Sequence, residues 1–279
     1  MHPIDIDRIA TVMAEVAAAE IVPRFQALAQ GDVSEKTGGE LVTVADLAAE
    51  RALERRLHDL LPGSLVVGEE AVAERREVLD RLRDPQPVWV IDPIDGTGNF
   101  TRGNPNFAVQ LALVRAGETL AGWIYAPILR RLATGERGSG TLLDGERRRL
   151  RVAGRSAAEL RGTLHAGRFS TPEMGRRMQQ RRGRVAAEKS RAAASIEYLR
   201  LLASEMDFSL FTKLMPWDHA PGCLLLQEAG GVARFTDTRQ DYSPLRHEGE
   251  ALLLAPDPAS WERLHEVLLG MDEGPSNGV

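Results

Sequence analysis

Asp92 and Asp95 stand three residues apart in VWVIDPIDGTGNF, residues 88–100, where the chain concentrates the groups best suited to chemistry. Val88, Trp89, Val90 and Ile91 form a short apolar run of the kind a buried strand shows, and Pro93, Gly96 and Gly98 break it at once. Proline cannot continue a central sheet ladder, and glycine lets the backbone approach a ligand closely, so the strand is expected to stop where its two acids emerge. Carboxylates delivered to such a place suit a hard divalent cation such as Mg²⁺, which binds through a few carboxylates together with substrate phosphate. Free N–H groups in the turn, those of Gly96 and Thr97, would supply the anion's remaining partners. The same short pattern also reads as a polar turn in which Asp92 and Asp95 bond their own backbone.

Four other places carry candidate groups. Lys36 lies beside Gly38 and Gly39 in a polar stretch from Gln30 to Glu40, expected to be a flexible surface segment; on composition alone it is a solvated lysine, and over a site it would bring a cation. Thr43 and Asp46 have capping-box spacing ahead of a helix carried by Leu47, Leu53, Leu57 and Leu60, so Asp46 has a helix end to satisfy. Leu65, Val66 and Val67 read as a strand that ends in Gly68, Glu69 and Glu70, again placing acids at a strand terminus, where open α/β sheets gather their chemistry. Pro216, Trp217 and Asp218 open a helix that stops at Gly230 and Gly231, and Asp218 falls in its first turn, where the helix dipole favours an acid.

Taken together, the signature from Asp92 to Phe100 resembles D-P-I/L-D-G-T-x-N-F of the inositol monophosphatase superfamily, the Mg²⁺-dependent, lithium-sensitive phosphomonoesterases. Lys36 with LVTVAD (41–46), GEE (68–70), PWDHAPG (216–222) and EAGG (228–231) follow the family's order, so the resemblance spans nearly the whole chain. It implies an inositol-monophosphatase-like α+β fold, the layered αβ sandwich of sugar phosphatases with α-β-α-β-α layers. It implies two or three Mg²⁺ ions held by Glu69, Asp92, Asp95, Asp218 and the carbonyl of Ile94. Glu69, and Asp46 acting through Thr97, would position and activate the attacking water, with Lys36 close to the metals. Asp95, Gly96 and Thr97 would contact substrate. Glu70 is expected to be a salt-bridge or surface residue.

Composition agrees with such an enzyme. The 279 residues, 43% of them hydrophobic, provide core for one large domain or two intimate halves. A net charge of -5 argues against a general binder of nucleic acid or membrane surfaces. Acids and Arg8 interrupt the N-terminus where a signal peptide needs an apolar core, and no later apolar run is long enough to span a bilayer, so a cytoplasmic protein is expected. Cys223, the lone cysteine, sits in an apolar run and reads as a buried, inert thiol. A homodimer acting on a small phosphorylated metabolite is the expected working form.

In chain order, an amphipathic helix is expected over Ile4 to Leu28, kinked or ended near Pro23. The first half, residues 1–153, would then hold two helices on a large antiparallel-rich sheet carrying most metal ligands. The second, residues 154–279, would be a smaller α/β half contributing Asp218. It holds expected strands at Gly162–Ala166, Met206–Leu210, Val232–Phe235 and Ala251–Ala255, and a tail, 272–279, expected to be disordered. Arg176, Arg177, Arg181, Arg182 and Arg184 are expected on a solvated helix face. A non-catalytic partner of RNA or of transcription that uses this cluster is the rival from another class.

The chain departs from inositol-specific members at two places. Counting back from Asp218 without gaps, the glutamate that bonds ring hydroxyls is replaced by Phe211, and a glycine-threonine-alanine segment is replaced by Ala192, Ala193 and Ala194. Losing a hydrogen-bonding acid leaves hydroxyls unpaired, whereas an aromatic side chain favours a flat group. Phe211 either lines the pocket or packs in the core. A 3'-phosphoadenosine 5'-phosphate nucleotidase, a fructose-1,6-bisphosphatase and a histidinol-phosphatase are therefore alternatives within the superfamily.

Overall fold

The computed structural model describes residues 5–36, 39–151, 154–165 and 172–270. The expectations placed on Ile4, Gly38, Ala153, Ala166 and residues 272–279 lie outside these. Helix α1 (Ile6–Val16) starts at Asp5, whose side chain accepts the Arg8 N–H, and buries Ile9, Met13 and Val16. It runs on through a wide turn (Ala17–Ile21) and a tight one (Val22–Arg24), and the helical stretch closes just past Pro23.

Strands β1 (Val33–Glu35) and β2 (Leu41–Thr43) pair antiparallel. The segment expected to be a flexible loop is thus a hairpin, with Lys36 N donating to the Glu40 carbonyl at 2.6 Å. Sequence periodicity misses it because all three β1 residues are exposed, so no apolar alternation marks the strand. Helix α2 (Val44–Leu60) follows, capped reciprocally by Thr43 and Asp46 as their spacing requires.

Strand β3 (Leu65–Gly68), helix α3 (Glu69–Glu74), strand β4 (Pro87–Asp95), helix α4 (Thr97–Thr101) and strands β5 (Ala108–Arg115), β6 (Glu118–Ala126), β7 (Arg131–Glu136), β8 (Gly140–Leu143) and β9 (Glu146–Arg148) come next. The strands β3 to β9 form one sheet in chain order. β3 and β4 run parallel, and every other neighbouring pair is antiparallel, as consecutive strands joined by short turns must be.

The second sheet holds β10 (Arg161–Leu164), β11 (Ala186–Glu188), β12 (Phe208–Phe211), β13 (Val232–Phe235) and β14 (Leu252–Ala255), in the order β11-β10-β12-β14-β13. Helices α5 (Pro172–Arg181), α6 (Ala194–Leu202), α7 (Pro216–Glu228) and α8 (Pro258–Leu269) alternate with these strands. The burial pattern gives five layers. Ile9, Met13 and Leu53 of α1 and α2 pack on Trp89, Leu111 and Trp123 of the large sheet. Ile196 of α6 and Leu225 of α7 fill the space between Ile124 of the large sheet and Leu252 of the small one. Met174 of α5 and Trp261 of α8 cover the far face through Phe208 and Leu253. The fold is an α-β-α-β-α sandwich.

Candidate active site

Strand β4 pairs regularly with β5 from Pro87 to Asp92, slips, and resumes at Asp95 opposite Ala108. The slip falls at Pro93, which has no N–H to give the ladder. Both acids remain inside the strand rather than beyond its end, and both are buried. Gly96 then adopts φ +89°, where a Cβ would meet the Ala193 side chain at 2.9 Å and the Asn106 carbonyl at 3.0 Å. Glycine is required on both counts, and its carbonyl accepts the Asn99 N–H at 2.7 Å to start α4.

Helix α7 brings Asp218 to the same place from the other sheet's connection, and the ligand oxygens of Asp92, Asp95 and Asp218 all lie within 4.8 Å of one another. They open on a cavity of about 420 Å³ that Glu69, Ile94, Gly96 and Thr97 also line. Asp92 Oδ1 is buried without a hydrogen-bond partner. Burial, then the charges of Glu69 and Asp95, hold the Asp92 carboxyl well above the usual carboxylate range. Burial and Asp218 push Asp95 up to about 7. Burial raises Asp218 and Glu69 too, although Lys213 and Lys36 respectively oppose it.

Each remaining acid has a fixed partner. Thr97 Oγ1 lies 3.2 Å from Asp46 Oδ1 and 3.0 Å from the Ile94 carbonyl, its donor shared between them. Asp46 Oδ2 accepts the Thr43 N–H at 2.8 Å, and burial pushes this carboxyl up to about 6. Lys36 Nζ donates to Glu69 Oε1 at 2.9 Å and Glu70 Oε1 at 2.7 Å. Glu70 is therefore a salt-bridge residue and is buried, not on the surface. Glu50 accepts the Glu70 and Ala71 N–H groups at 2.9 and 3.0 Å, capping α3 from α2.

The model of the inositol monophosphatase family matches residues 4–269. The chain belongs to this family. It is 35% identical over 261 residues to the inositol-1-monophosphatase of Caulobacter vibrioides, covering 92% of this chain and 96% of that one. It is 36% identical over 203 residues to the fructose-1,6-bisphosphatase/inositol-1-monophosphatase of Thermotoga maritima, 72% of this chain and 74% of that one. The extragenic suppressor protein suhB from Bartonella henselae superposes with a TM-score of 0.79 at 26% identity, covering 94% of this chain and 98% of that one.

As a member of the inositol monophosphatase family, the chain carries site contacts that its local sequence does not announce. Ser195 donates both its N–H, at 2.6 Å, and its hydroxyl to Asp95 Oδ2 across a hundred residues of chain. Lys213 Nζ bonds Glu40 Oε1 at 2.9 Å and lies 3.8 Å from Asp218 Oδ2, tying the β1–β2 hairpin to the acids. Neither has a short motif; only the fold brings the partners together. Phe211 both lines the cavity and packs in the central core layer, with 5% of its surface exposed. The arginine cluster needs a correction. Arg181 is buried and donates to the Gly270 carbonyl, and Arg177 donates to the Leu269 carbonyl at 3.3 Å. Both donate to carbonyls at the end of α8, which lack intrahelical donors, but only Arg181 is withdrawn from solvent, while Arg177 stays half-buried and Arg176 and Arg184 are exposed as expected. Among the described residues no helix is long and apolar enough to cross a membrane.

Proposed function

We propose that this cavity hydrolyses a small phosphomonoester with Mg²⁺, two or three ions being held by Glu69, Asp92, Asp95, Asp218 and the Ile94 carbonyl. The observation that carries the reading is the convergence of three buried aspartates within 4.8 Å, with one oxygen, Asp92 Oδ1, left without a hydrogen-bond partner. Like charges that close cost free energy unless a cation or protons neutralise them, and an all-oxygen donor set fits a hard divalent ion. Bound there, the ions would supply neutralisation of the phosphate and a water of lowered pKa.

The chain's own groups do the rest. The Thr97 hydroxyl directs its hydrogen to Asp46 or the Ile94 carbonyl, which leaves its oxygen to accept from a water in the cavity and hold it in line with phosphorus. Glu69, whose Oε1 is fixed by Lys36, lines the cavity and would activate the attacking water. The Gly96 and Thr97 N–H groups stand at the turn where phosphate oxygens would gather charge. The two halves, residues 1–153 and 154–279, share the work: the first supplies the strand acids, and the second supplies Asp218. We place the enzyme in the cytoplasm as a homodimer, the latter measurable by light scattering of the purified chain.

The test is hydrolysis of glycerol 2-phosphate. Turnover should require Mg²⁺, stop in excess EDTA and fall with Li⁺. Full activity in EDTA would refute the reading. Both relatives are named for inositol 1-phosphate and the Thermotoga maritima one for fructose 1,6-bisphosphate as well, and nucleotide and histidinol phosphates are the further candidates. The cavity wall opposite the acids must choose among them.

A further inference from the structure

Strands β10 and β12 are parallel, with Leu164 beside Leu210, so the next residue of each segment, His165 just past β10 and Phe211 at the end of β12, lies beside the other. One backbone and one side-chain bond hold that register: His165 N donates to the Leu210 carbonyl at 3.0 Å, and the Thr212 hydroxyl donates to the His165 carbonyl at 3.3 Å. The two rings stack, with centroids 4.5 Å apart and planes at 26°. Tyr198 of α6 stacks on Phe211 as well, at 5.9 Å and 15°. Tyr198 is fully buried, and its hydroxyl lies 3.0 Å from His219 Nδ1. His219 Nε2 must donate to the Lys213 carbonyl 2.7 Å away, since a carbonyl only accepts, so Nδ1 accepts from the tyrosine. The rear of the stack is thereby locked in place.

Phe211 has neighbours on two sides and little exposed surface, so it is not itself the platform a ligand would meet. His165 is half-buried and lines the cavity, and it is the stack's outermost ring. Burial pushes its pKa down to about 4, which keeps the imidazole neutral and its face available for stacking at neutral pH. Ala192, Ala193 and Ala194 line the same cavity, and their side chains are no more than methyl groups. Glu40, which also lines the cavity, is already engaged by Lys213 at 2.9 Å. Resting on the phosphatase reading above, we propose that His165 is the specificity-determining platform of this site, and that the substrate's leaving group carries a planar heteroaromatic ring instead of a polyol.

The test compares kcat/KM for adenosine 3'-monophosphate and histidinol phosphate with that for myo-inositol 1-phosphate and glycerol 2-phosphate. The wild-type enzyme should prefer a ring-bearing ester. In His165→Ala the ring-to-glycerol ratio should drop roughly tenfold, mainly through KM, as loss of an aromatic stacking partner does elsewhere. His165→Phe should restore most of the ratio, because it keeps the face and removes the ring nitrogens. Inositol 1-phosphate as best substrate, an unchanged ratio in His165→Ala, or a ratio in His165→Phe as low as in the alanine variant would overturn the assignment. Should the wild-type protein hydrolyse no ester at all in Mg²⁺, the phosphatase reading fails by itself. Calorimetric binding of adenosine 3'-monophosphate then decides the platform: weaker binding by His165→Ala upholds it, and equal binding removes it.

Discussion

Asp92 is the residue on which the two demands of this site, stability and catalysis, conflict most directly. Its carboxyl is buried among other acids, and one of its oxygens has no partner. Asp92→Asn removes a charge that the metal-free fold must tolerate, so the variant should melt at or above the wild-type temperature in EDTA. It also removes a ligand worth several kcal/mol of transition-state charge stabilisation, about a thousandfold in rate. Phosphatase assays and calorimetry on the same preparation check both signs, and near wild-type turnover contradicts the ligand assignment. Thr97 makes a narrower prediction. Its hydroxyl touches Asp46 and the Ile94 carbonyl but supports no core packing, so Thr97→Ala should lower kcat by about a hundredfold with KM little changed, and Thr97→Ser should recover most of it. A change confined to KM would move Thr97 from the attacking water to substrate binding.

Among the elements, α7 decides whether the acids meet. It crosses the large sheet over Gly122 of β6, where an added Cβ would stand 2.9 Å from both Cα and O of Pro221. Those atoms are backbone and cannot rotate away, so Gly122→Ala should push the helix off the sheet and cost about 1–3 kcal/mol. Because Asp218 rides in the first turn of that helix, the same change should raise the Mg²⁺ concentration needed for half-maximal activity. A urea midpoint and a Mg²⁺ titration equal to wild type would show that the contact is slack. What the sequence revealed divides along similar lines. Strand β4, the start of α7 and the Thr43 cap were legible because proline, glycine and a capping acid act on their own neighbours within a few residues. The β1–β2 hairpin was not, since exposed Val33, Ser34 and Glu35 carry no period. Ser195 on Asp95, Lys213 on Glu40 and Arg181 on Gly270 were not either, as each contact joins positions about ninety or more residues apart through tertiary structure.

For the whole molecule, the buried acids make stability depend on pH and metal together. Burial pushes Asp46 up to about 6, and Glu50, Glu70 and Asp95 up to about 7. A carboxyl whose pKa is higher in the fold than in the unfolded chain binds more protons when folded between the two values, so the metal-free protein loses stability as pH rises from about 4 to about 7. His165 and His219 act oppositely: burial pushes both down to about 4, and stability falls as pH drops below about 6.5, where the unfolded chain takes up protons they refuse. Comparing pH 6 with pH 8 keeps the histidine loss small while most of the acids change state. In EDTA the protein should therefore melt at a higher temperature at pH 6 than at pH 8. Mg²⁺ should raise the melting temperature strongly at pH 8, above the value of about 7 to which Asp95 is pushed, and far less at pH 6, where protons compete with it. Scanning calorimetry at both pH values, with EDTA and with Mg²⁺, gives four melting temperatures. A Mg²⁺ increment that is the same at pH 6 and pH 8 would mean that the ions bind somewhere other than the raised carboxyls of Asp92, Asp95 and Asp218.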